Sequence, residues 1–330
     1  MLEPTPDLIP AEILKAYYPG DITSQVIVPG GDINTTLLVT DTNGKKTILQ
    51  RISSIYNAAI GEDYEVVADH LREKGWEMAI AHKASNGATY LPDRSGQLWR
   101  SFSYIESVPG TKFEGDLEAA VDLGGILGDL HRSLATLDYQ PKFKRTHSQN
   151  TEYYADKLET MIPEIQDAEY RELTKELISL SRATSIASYP LQLIHSDPRI
   201  GNTLFRQGKP FTFIDWDGFR IANPLVDVGD MLQSVVGEVI NKSGGSLSAK
   251  QLHPIIEAYY HKSGSRANRQ AFMKDALTAG RVIALILGMR CLIDSVEDSY
   301  FRWNPARFGS RLEYNLFRAQ NQRQIYEVLV

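Results

Sequence analysis

The segment Ile194-His195-Ser196-Asp197-Pro198-Arg199-Ile200-Gly201-Asn202-Thr203-Leu204-Phe205, followed after Arg206 to Pro210 by Phe211-Thr212-Phe213-Ile214-Asp215-Trp216-Asp217, decides how this chain is read. Two short β runs, Thr203 to Phe205 and Phe211 to Ile214, flank Gln207-Gly208-Lys209, which predicts an antiparallel hairpin. A hairpin turning near Gly208 opposes residues whose numbers sum to about 416 or 417, and Pro210 leaves the register open by one. Asn202 and Asp215 then meet at the open end, with Asp197 on the loop just before Asn202. A carboxylate beside a carboxamide offers hard oxygen ligands suited to Mg²⁺, which shares its remaining positions with substrate phosphates. A second carboxylate outside that pair can take the proton of an attacking hydroxyl. Together these are the parts that phosphoryl transfer needs, because that chemistry rests on positioning and charge neutralisation.

Outward from this segment the chain changes character. Residues 1–107 are β-rich: Val26-Ile27-Val28, Ile33 to Thr40 and Thr47 to Ile52 are strand-like runs, and Asn43-Gly44 is a hairpin turn between the last two. The spacing of Tyr64, Val67 and Leu71 predicts one helix over Gly61 to Lys74, stopped by Gly75. A second hairpin turns at Asp93-Arg94-Ser95-Gly96 into a strand from Leu98 to Ile105. Beyond Val108-Pro109-Gly110 helical periodicity takes over, from Asp116 to Leu137 and over roughly 150–187, 225–240, 249–262 and 268–299, interrupted by the β island Leu191 to Asp217. The expected class is α+β, with a β-rich unit at 1–107 and a larger helical one at 108–330.

Composition narrows the partners. Of the 330 residues 42% are hydrophobic and 23% charged, the proportions of a globular protein. Lys plus Arg total 35 against 41 for Asp plus Glu, so a net charge of -6 gives no general attraction for nucleic acid or anionic lipid. Cys291 is the sole cysteine, which excludes a disulfide framework and a cysteine zinc site and fits a reducing cytoplasm. The first ten residues carry Glu3 and Asp7 where a secretory signal has a basic start and an apolar run. Val282 to Met289, the longest apolar run, falls short of the roughly 20 residues that span a bilayer. A small-molecule acceptor is the expected partner, with neither nucleic acid nor membrane.

His195-x-Asp197-x-x-x-x-Asn202, followed thirteen residues later by Asp215, resembles the catalytic segment of the aminoglycoside phosphotransferase and choline kinase superfamily. The resemblance implies a protein-kinase-like fold of two lobes, the smaller one taking the nucleotide, with ATP and Mg²⁺ as cofactors. It implies Asp197 as catalytic base, Asn202 and Asp215 as metal ligands, and His195, Asp217, Asp227 and Asp230 as supports of the loop. Arg199, inside the loop, is expected to contact phosphate. In Pro29-Gly30-Gly31-Asp32-Ile33-Asn34-Thr35-Thr36 the glycines let backbone N–H groups approach phosphates, so Gly30, Gly31, Asn34 and Thr35 are candidate nucleotide contacts. A kinase carries a lysine on the next strand, paired with a helix glutamate. Here Gln50 occupies that position, and Glu65 is the helix acid left over. The backbone of Ser103, Tyr104 and Ile105 is the expected adenine hinge.

For the acceptor, Gly31 to Thr36, Ile48-Leu49-Gln50, Trp99-Arg100, Ile105-Glu106, Gly288-Met289-Arg290-Cys291-Leu292-x-Asp294 and Asp298-x-Tyr300-Phe301 together resemble the N-acetylhexosamine 1-kinase branch. That resemblance implies transfer to the anomeric hydroxyl, with Asp32, Arg290, Asp294 and Tyr300 on the hexose and Asp197 at its hydroxyl. Asp32 stands where that branch is expected to have histidine. Arg290, Asp294 and Glu297 also share one face of an otherwise apolar helix, where paired donors and acceptors suit hydroxyls. Three other readings compete: a kinase for choline, homoserine, another amino-alcohol or an aminoglycoside; a metallohydrolase using His195, Asp197 and Asp215; and a nucleotide-binding pseudokinase, motivated by Gln50. Against the last stand Asp197, Asn202 and Asp215, all present.

Overall fold

Alternation of apolar and polar residues along the first strands produces a sheet with two different faces. In the computed structural model, residues 9–28, 34–109, 116–146, 149–243, 247–297, 301, 303 and 305–330 are described. They fall into two compact units, Met1–Ser107 with Pro141–Phe143, and Val108–Gln140 with Lys144–Val330.

The first unit runs α1 (Ala11–Tyr17), β1 (Ile22–Ile27), β2 (Thr35–Asp41), β3 (Lys46–Arg51), α2 (Ala59–Glu73), β4 (Ala81–His82), β5 (Tyr90–Pro92) and β6 (Leu98–Ser103). Its antiparallel sheet has the order β1-β2-β3-β6-β4, with β5 also paired to β6. Leu37, Val39, Leu49 and Trp99 bury one face against Ile9 and Ile13. On the other face Phe102 meets Tyr64 of α2 edge-on, ring centres 5.0 Å apart. The chain returns to this unit at 141–143, where the N–H groups of Lys142 and Phe143 donate to the buried Asp63 carboxylate at 2.8 and 2.9 Å.

The second unit runs β7 (Val108–Pro109), α3 (Leu117–Leu134), α4 (Thr151–Met161), α5 (Ala168–Ala183), β8 (Gln192–Ile194), β9 (Thr203–Arg206), β10 (Lys209–Phe213), β11 (Arg220–Ala222), α6 (Leu225–Ser243), α7 (Ala249–Ser263), α8 (Arg269–Glu297) and α9 (Arg311–Val328). Asp116, Asn150, Asp167 and Ser310 cap α3, α4, α5 and α9 by accepting N–H bonds of the first turn. Leu285, Met289 and Leu292 of α8 form a core with Leu158, Leu173, Leu177 and Ala319. By length and composition α8 could cross a bilayer, yet 78% of its most apolar stretch is buried inside the protein. Its apolarity is that of a core helix.

The structure departs from the expected elements in several places. The strand expected to reach Ile105 ends at Ser103, and the helical region expected over 150–187 is two helices broken by a short turn at Ile162–Glu164. The β island continues to Ala222, because β11 pairs with β8. α1 and α9 were not anticipated: the first has seven residues, and the second buries only Asn315, Ala319 and Ile325.

Candidate active site

The hairpin forms as β9 and β10, with Thr203 opposite Phe213 and Leu204 opposite Thr212. The register slips between Pro210 and Thr212, where the proline has no N–H to give. Gln207 and Gly208 both have positive φ, 52° and 79°, the two-residue turn whose twist suits a hairpin. At the open end the Ile214 N–H donates to the Asn202 carbonyl at 2.8 Å, so Asp215 follows directly beside Asn202.

Asp197 is half-exposed and bracketed. Its Oδ2 accepts from Asn202 Nδ2 at 2.8 Å, and its Oδ1 lies 3.3 Å from Arg199 Nε. Asn202 also donates to the Asp197 carbonyl at 3.0 Å, which fixes its amide with Oδ1 as the remaining acceptor. Arg199, expected at phosphate, thus pairs with Asp197, and its carbonyl accepts from Asn202 N–H and Thr203 Oγ1.

The loop hangs from α6. Asp227, fully buried, accepts the backbone N–H of His195 and of Ser196, each at 2.8 Å, and Ser234 Oγ accepts from Ile200 N–H at 3.1 Å. Behind Asp227 stands His131 of α3, Nε2 at 3.0 Å, whose Nδ1 is 2.7 Å from the Tyr259 hydroxyl. Burial pushes the Tyr259 phenol well above its usual range. The phenol therefore keeps its proton, and the His131 ring bridges it to the Asp227 carboxylate. His195 is fully buried, its ring 4.3 Å from that of Trp216, and burial lowers its pKa. The Asp197 N–H donates to His195 Nδ1 at 3.3 Å. His195 is thus a loop support. Ser196 and Asp215 both take left-handed backbone conformations, φ 72° and 67°, which cost non-glycine residues of order 1–3 kcal/mol each. That strain is held by the Asp227 bonds on one side and the hairpin on the other.

Asp230, one turn beyond Asp227, is 8% exposed, and its Oδ2 has no hydrogen-bond partner among the described residues. Burial pushes its carboxyl well above the usual carboxylate range; the Asp197 charge adds to the shift and Arg199 opposes it. On the opposite flank Gln149 donates to the Ser196 carbonyl at 3.4 Å and accepts from Arg220 of β11. Burial disfavours the Arg220 cation, and the Asp227 charge opposes that shift. Arg290 of α8 lies over the rings of Tyr154 and Phe301, 6.0 and 5.6 Å from their centres.

The chemistry of the donors fits Mg²⁺: the Ile214 bond to the Asn202 carbonyl brings the backbone of exposed Asp215 next to that of Asn202, whose Oδ1 is left as an acceptor, so the hairpin end carries a carboxamide and a carboxylate. Among the described residues no cluster of three His, Cys, Asp or Glu could hold a metal ion.

Of the other candidate residues, Gly30, Gly31, Asp32 and Tyr300 lie outside the described ones. Asn34 is buried, its Oδ1 accepting from Ser53 N–H at 2.9 Å, while Thr35 accepts from Arg51. Gln50 bonds Thr36 and Arg100, and Glu65 accepts from Thr89. Ser103 gives its N–H to the Ile80 carbonyl and takes the Ile80 N–H on its hydroxyl, so its backbone donor is spent inside the sheet; Tyr104 and Ile105 follow it without that pairing. Asp294 is corrected most: at 2% exposure its Oδ2 accepts from Phe301 N–H (3.3 Å), Arg311 Nη1 (3.3 Å) and Asn315 Nδ2 (3.0 Å). It anchors α9 internally and offers no face to a sugar. Glu297, on the same helix face, is paired with Lys157 of α4.

Sequence reasoning missed His131, Tyr259, Gln149 and Ser234. For His131 one signal existed: it lies four and eight residues after Leu127 and Leu123, on the buried stripe of its helix, where a histidine needs partners.

A search among curated proteins finds no match. Among solved structures the chain is similar to the amicoumacin kinase hAmiN in complex with AMP-PNP, Ca²⁺ and Ami (17% identity, TM-score 0.63, covering 94% of this chain and 90% of that one). It is also similar to a choline/ethanolamine kinase family protein from Mesorhizobium loti (18%, TM-score 0.59, 97% and 92%) and to a spectinomycin phosphotransferase in complex with ADP and spectinomycin (14%, TM-score 0.60, 96% and 95%). At these identities the likeness is one of fold, and it gives the α+β units a kinase-like architecture. The profile of the phosphotransferase enzyme family (APH) matches residues 24–265, most of the chain and all of the Asp197 loop. The chain belongs to that family and is an ATP-dependent phosphotransferase of small-molecule hydroxyl acceptors.

Proposed function

We propose that the acceptor is the anomeric hydroxyl of an N-acetylhexosamine or related hexose and that the product is the sugar 1-phosphate. Phosphoryl transfer is carried by one observation, the 2.8 Å contact between Asp197 and Asn202 in a loop hung on buried Asp227. In this reading the acceptor hydroxyl gives its proton to Asp197 as its oxygen bonds the γ-phosphorus, the bond to the ADP oxygen breaks, and ADP leaves with that electron pair. Asn202 and Asp215 hold Mg²⁺, which when bound neutralises phosphate charge. Arg199, tied to Asp197, keeps the base in its rotamer and lends a cation to the phosphates. Gly30, Gly31 and Thr35 remain nucleotide contacts by resemblance, and Tyr104 and Ile105 carry the adenine hinge, since the Ser103 N–H is spent on Ile80.

For the acceptor, the Arg290 guanidinium over Tyr154 and Phe301 supports a neutral polyol. A cation already covers the aromatic pair that a quaternary ammonium would need. Asp32 and Tyr300 stay hexose contacts by resemblance, and Asp294 is withdrawn. The test is a screen of ATP consumption over hexoses, N-acetylhexosamines, amino-alcohols and aminoglycosides with Mg²⁺, and phosphorus NMR of the product. A glycosyl 1-phosphate, lost when C1 is blocked as a methyl glycoside, is expected. Phosphorylation of the methyl glycoside, or turnover of choline alone, contradicts the sugar reading and leaves the phosphotransferase one standing.

A further inference from the structure

Kinases place a lysine on the third strand to meet the nucleotide phosphates, and this chain has Gln50 there. A buried cation nevertheless lies one strand away. Thr36 of β2 faces Gln50 of β3, Gln50 faces Arg100 of β6, and Arg100 faces Tyr90 of β5. Directly opposed residues in antiparallel strands share a sheet face, so the four side chains form a row. Every neighbouring pair in it is bonded: Gln50 Nε2 donates to Thr36 Oγ1 (3.0 Å), Arg100 Nε to Gln50 Oε1 (2.8 Å) and Arg100 Nη1 to the Tyr90 hydroxyl (2.9 Å). Arg100 is 2% exposed and lies over the Phe102 ring, 4.9 Å from its centre.

The bond directions carry the argument. Arginine only donates, so it holds the Gln50 carbonyl end toward β6 and turns the amide nitrogen away from it, toward Thr36 at the start of β2. The guanidinium behind the carbonyl polarises the amide and strengthens its N–H groups as donors. Nε2 has two such groups, and one is used on Thr36. Gln50 is half-buried, so its amide end is reachable where Arg100 is not.

We propose that Arg100 is the fixed cation of the nucleotide site and acts on the phosphates through the Gln50 amide. It is a positioning residue, and the charge that lysine supplies at position 50 in kinases is supplied here from position 100. The inference rests on the chain binding ATP as a kinase does.

The test is calorimetric binding of MgATP and of adenosine to the full chain. Arg100→Gln keeps a donor in the row and removes the charge. It should weaken MgATP by roughly 10- to 100-fold and leave adenosine within about twofold, since only the phosphates answer to the charge. Adding Gln50→Lys to that variant returns a cation to position 50 and should recover MgATP binding to within about threefold of the wild type. Equal weakening of adenosine and MgATP marks a purely structural Arg100 and overturns the proposal. So does unchanged MgATP affinity, or a double variant no better than Arg100→Gln alone. If Arg100→Gln does not fold, the pair Gln50→Lys with Arg100→Met decides: folded, it must bind MgATP, and binding adenosine without MgATP overturns the proposal. A wild type that binds no MgATP at all counts against the kinase reading itself.

Discussion

Two buried ionisable residues beside Asp197 make stability depend on pH with opposite signs. Burial lowers the His195 pKa below its ordinary 6.5, so folding loses stability as pH falls from 6.5, where the unfolded chain binds a proton that the folded one refuses. Burial raises the Asp230 pKa above its ordinary 3.8, so stability is lost as pH rises from 3.8 toward the raised value, because the unfolded chain releases a proton that the folded one keeps. Asp230→Asn removes only the second loss. Its gain in melting temperature over the wild type should grow between about pH 4 and pH 8, and a gain independent of pH would contradict a protonated Asp230. At this scale the residues near one another in sequence were legible. Asp197, Asn202 and Asp215 lie within one loop and one hairpin, whose pairing brings them together. The residues that hold the loop were not: His131 and Tyr259 reach Asp227 from α3 and α7 across long sequence separations. Asp294 was misread for a related reason. An acid in a charged trio on an otherwise apolar helix looks like a ligand contact until Arg311 and Asn315, both in the weakly patterned α9, arrive to satisfy it.

At the scale of elements, the site depends on where α6 sits. Gly229, between Asp227 and Asp230, faces the backbone of α8: a Cβ there would stand 2.6 Å from the Ala279 carbonyl carbon and 2.7 Å from its oxygen. Backbone cannot yield as a flexible side chain can, so Gly229→Ala must push α6 off α8 and carry Asp227 with it. A loss of about 1–3 kcal/mol in urea denaturation, together with a fall in kcat, is the expected result, and unchanged stability would mean the helices part without cost. The β9–β10 hairpin was legible from Gly208 and the flanking β runs, including which residues meet at its open end. Near the turn the register differs by one, because Pro210 cannot donate a ladder bond. β11 was not read in the sequence although Asp217-Gly218 and Asn223-Pro224 bracket it, because three residues are too short for a strand pattern and become one only where β8 lies alongside.

For the whole molecule, the change from a period of two to one of 3.6 near residue 108 was the most legible feature, because it is written over many residues. The return of 141–143 to the first unit is absent from the pattern, since it depends on the buried Asp63 carboxylate accepting two distant N–H groups. Function demands more than either unit's fold. Asp215→Ala removes one of two expected metal oxygens, so activity should require at least about tenfold more Mg²⁺ while melting temperature without metal changes little, and an unaltered Mg²⁺ dependence would move the metal elsewhere. The central claim, that Asp197 takes the acceptor proton in an ATP-dependent transfer, is tested most directly by Asp197→Asn, which keeps the shape and the Asn202 neighbour and removes the base. Steady-state turnover with the acceptor found in the screen, beside calorimetric MgATP binding, should show kcat reduced by roughly 10²- to 10⁴-fold with ATP affinity nearly unchanged. A folded Asp197→Asn enzyme turning over near the wild-type rate would contradict it.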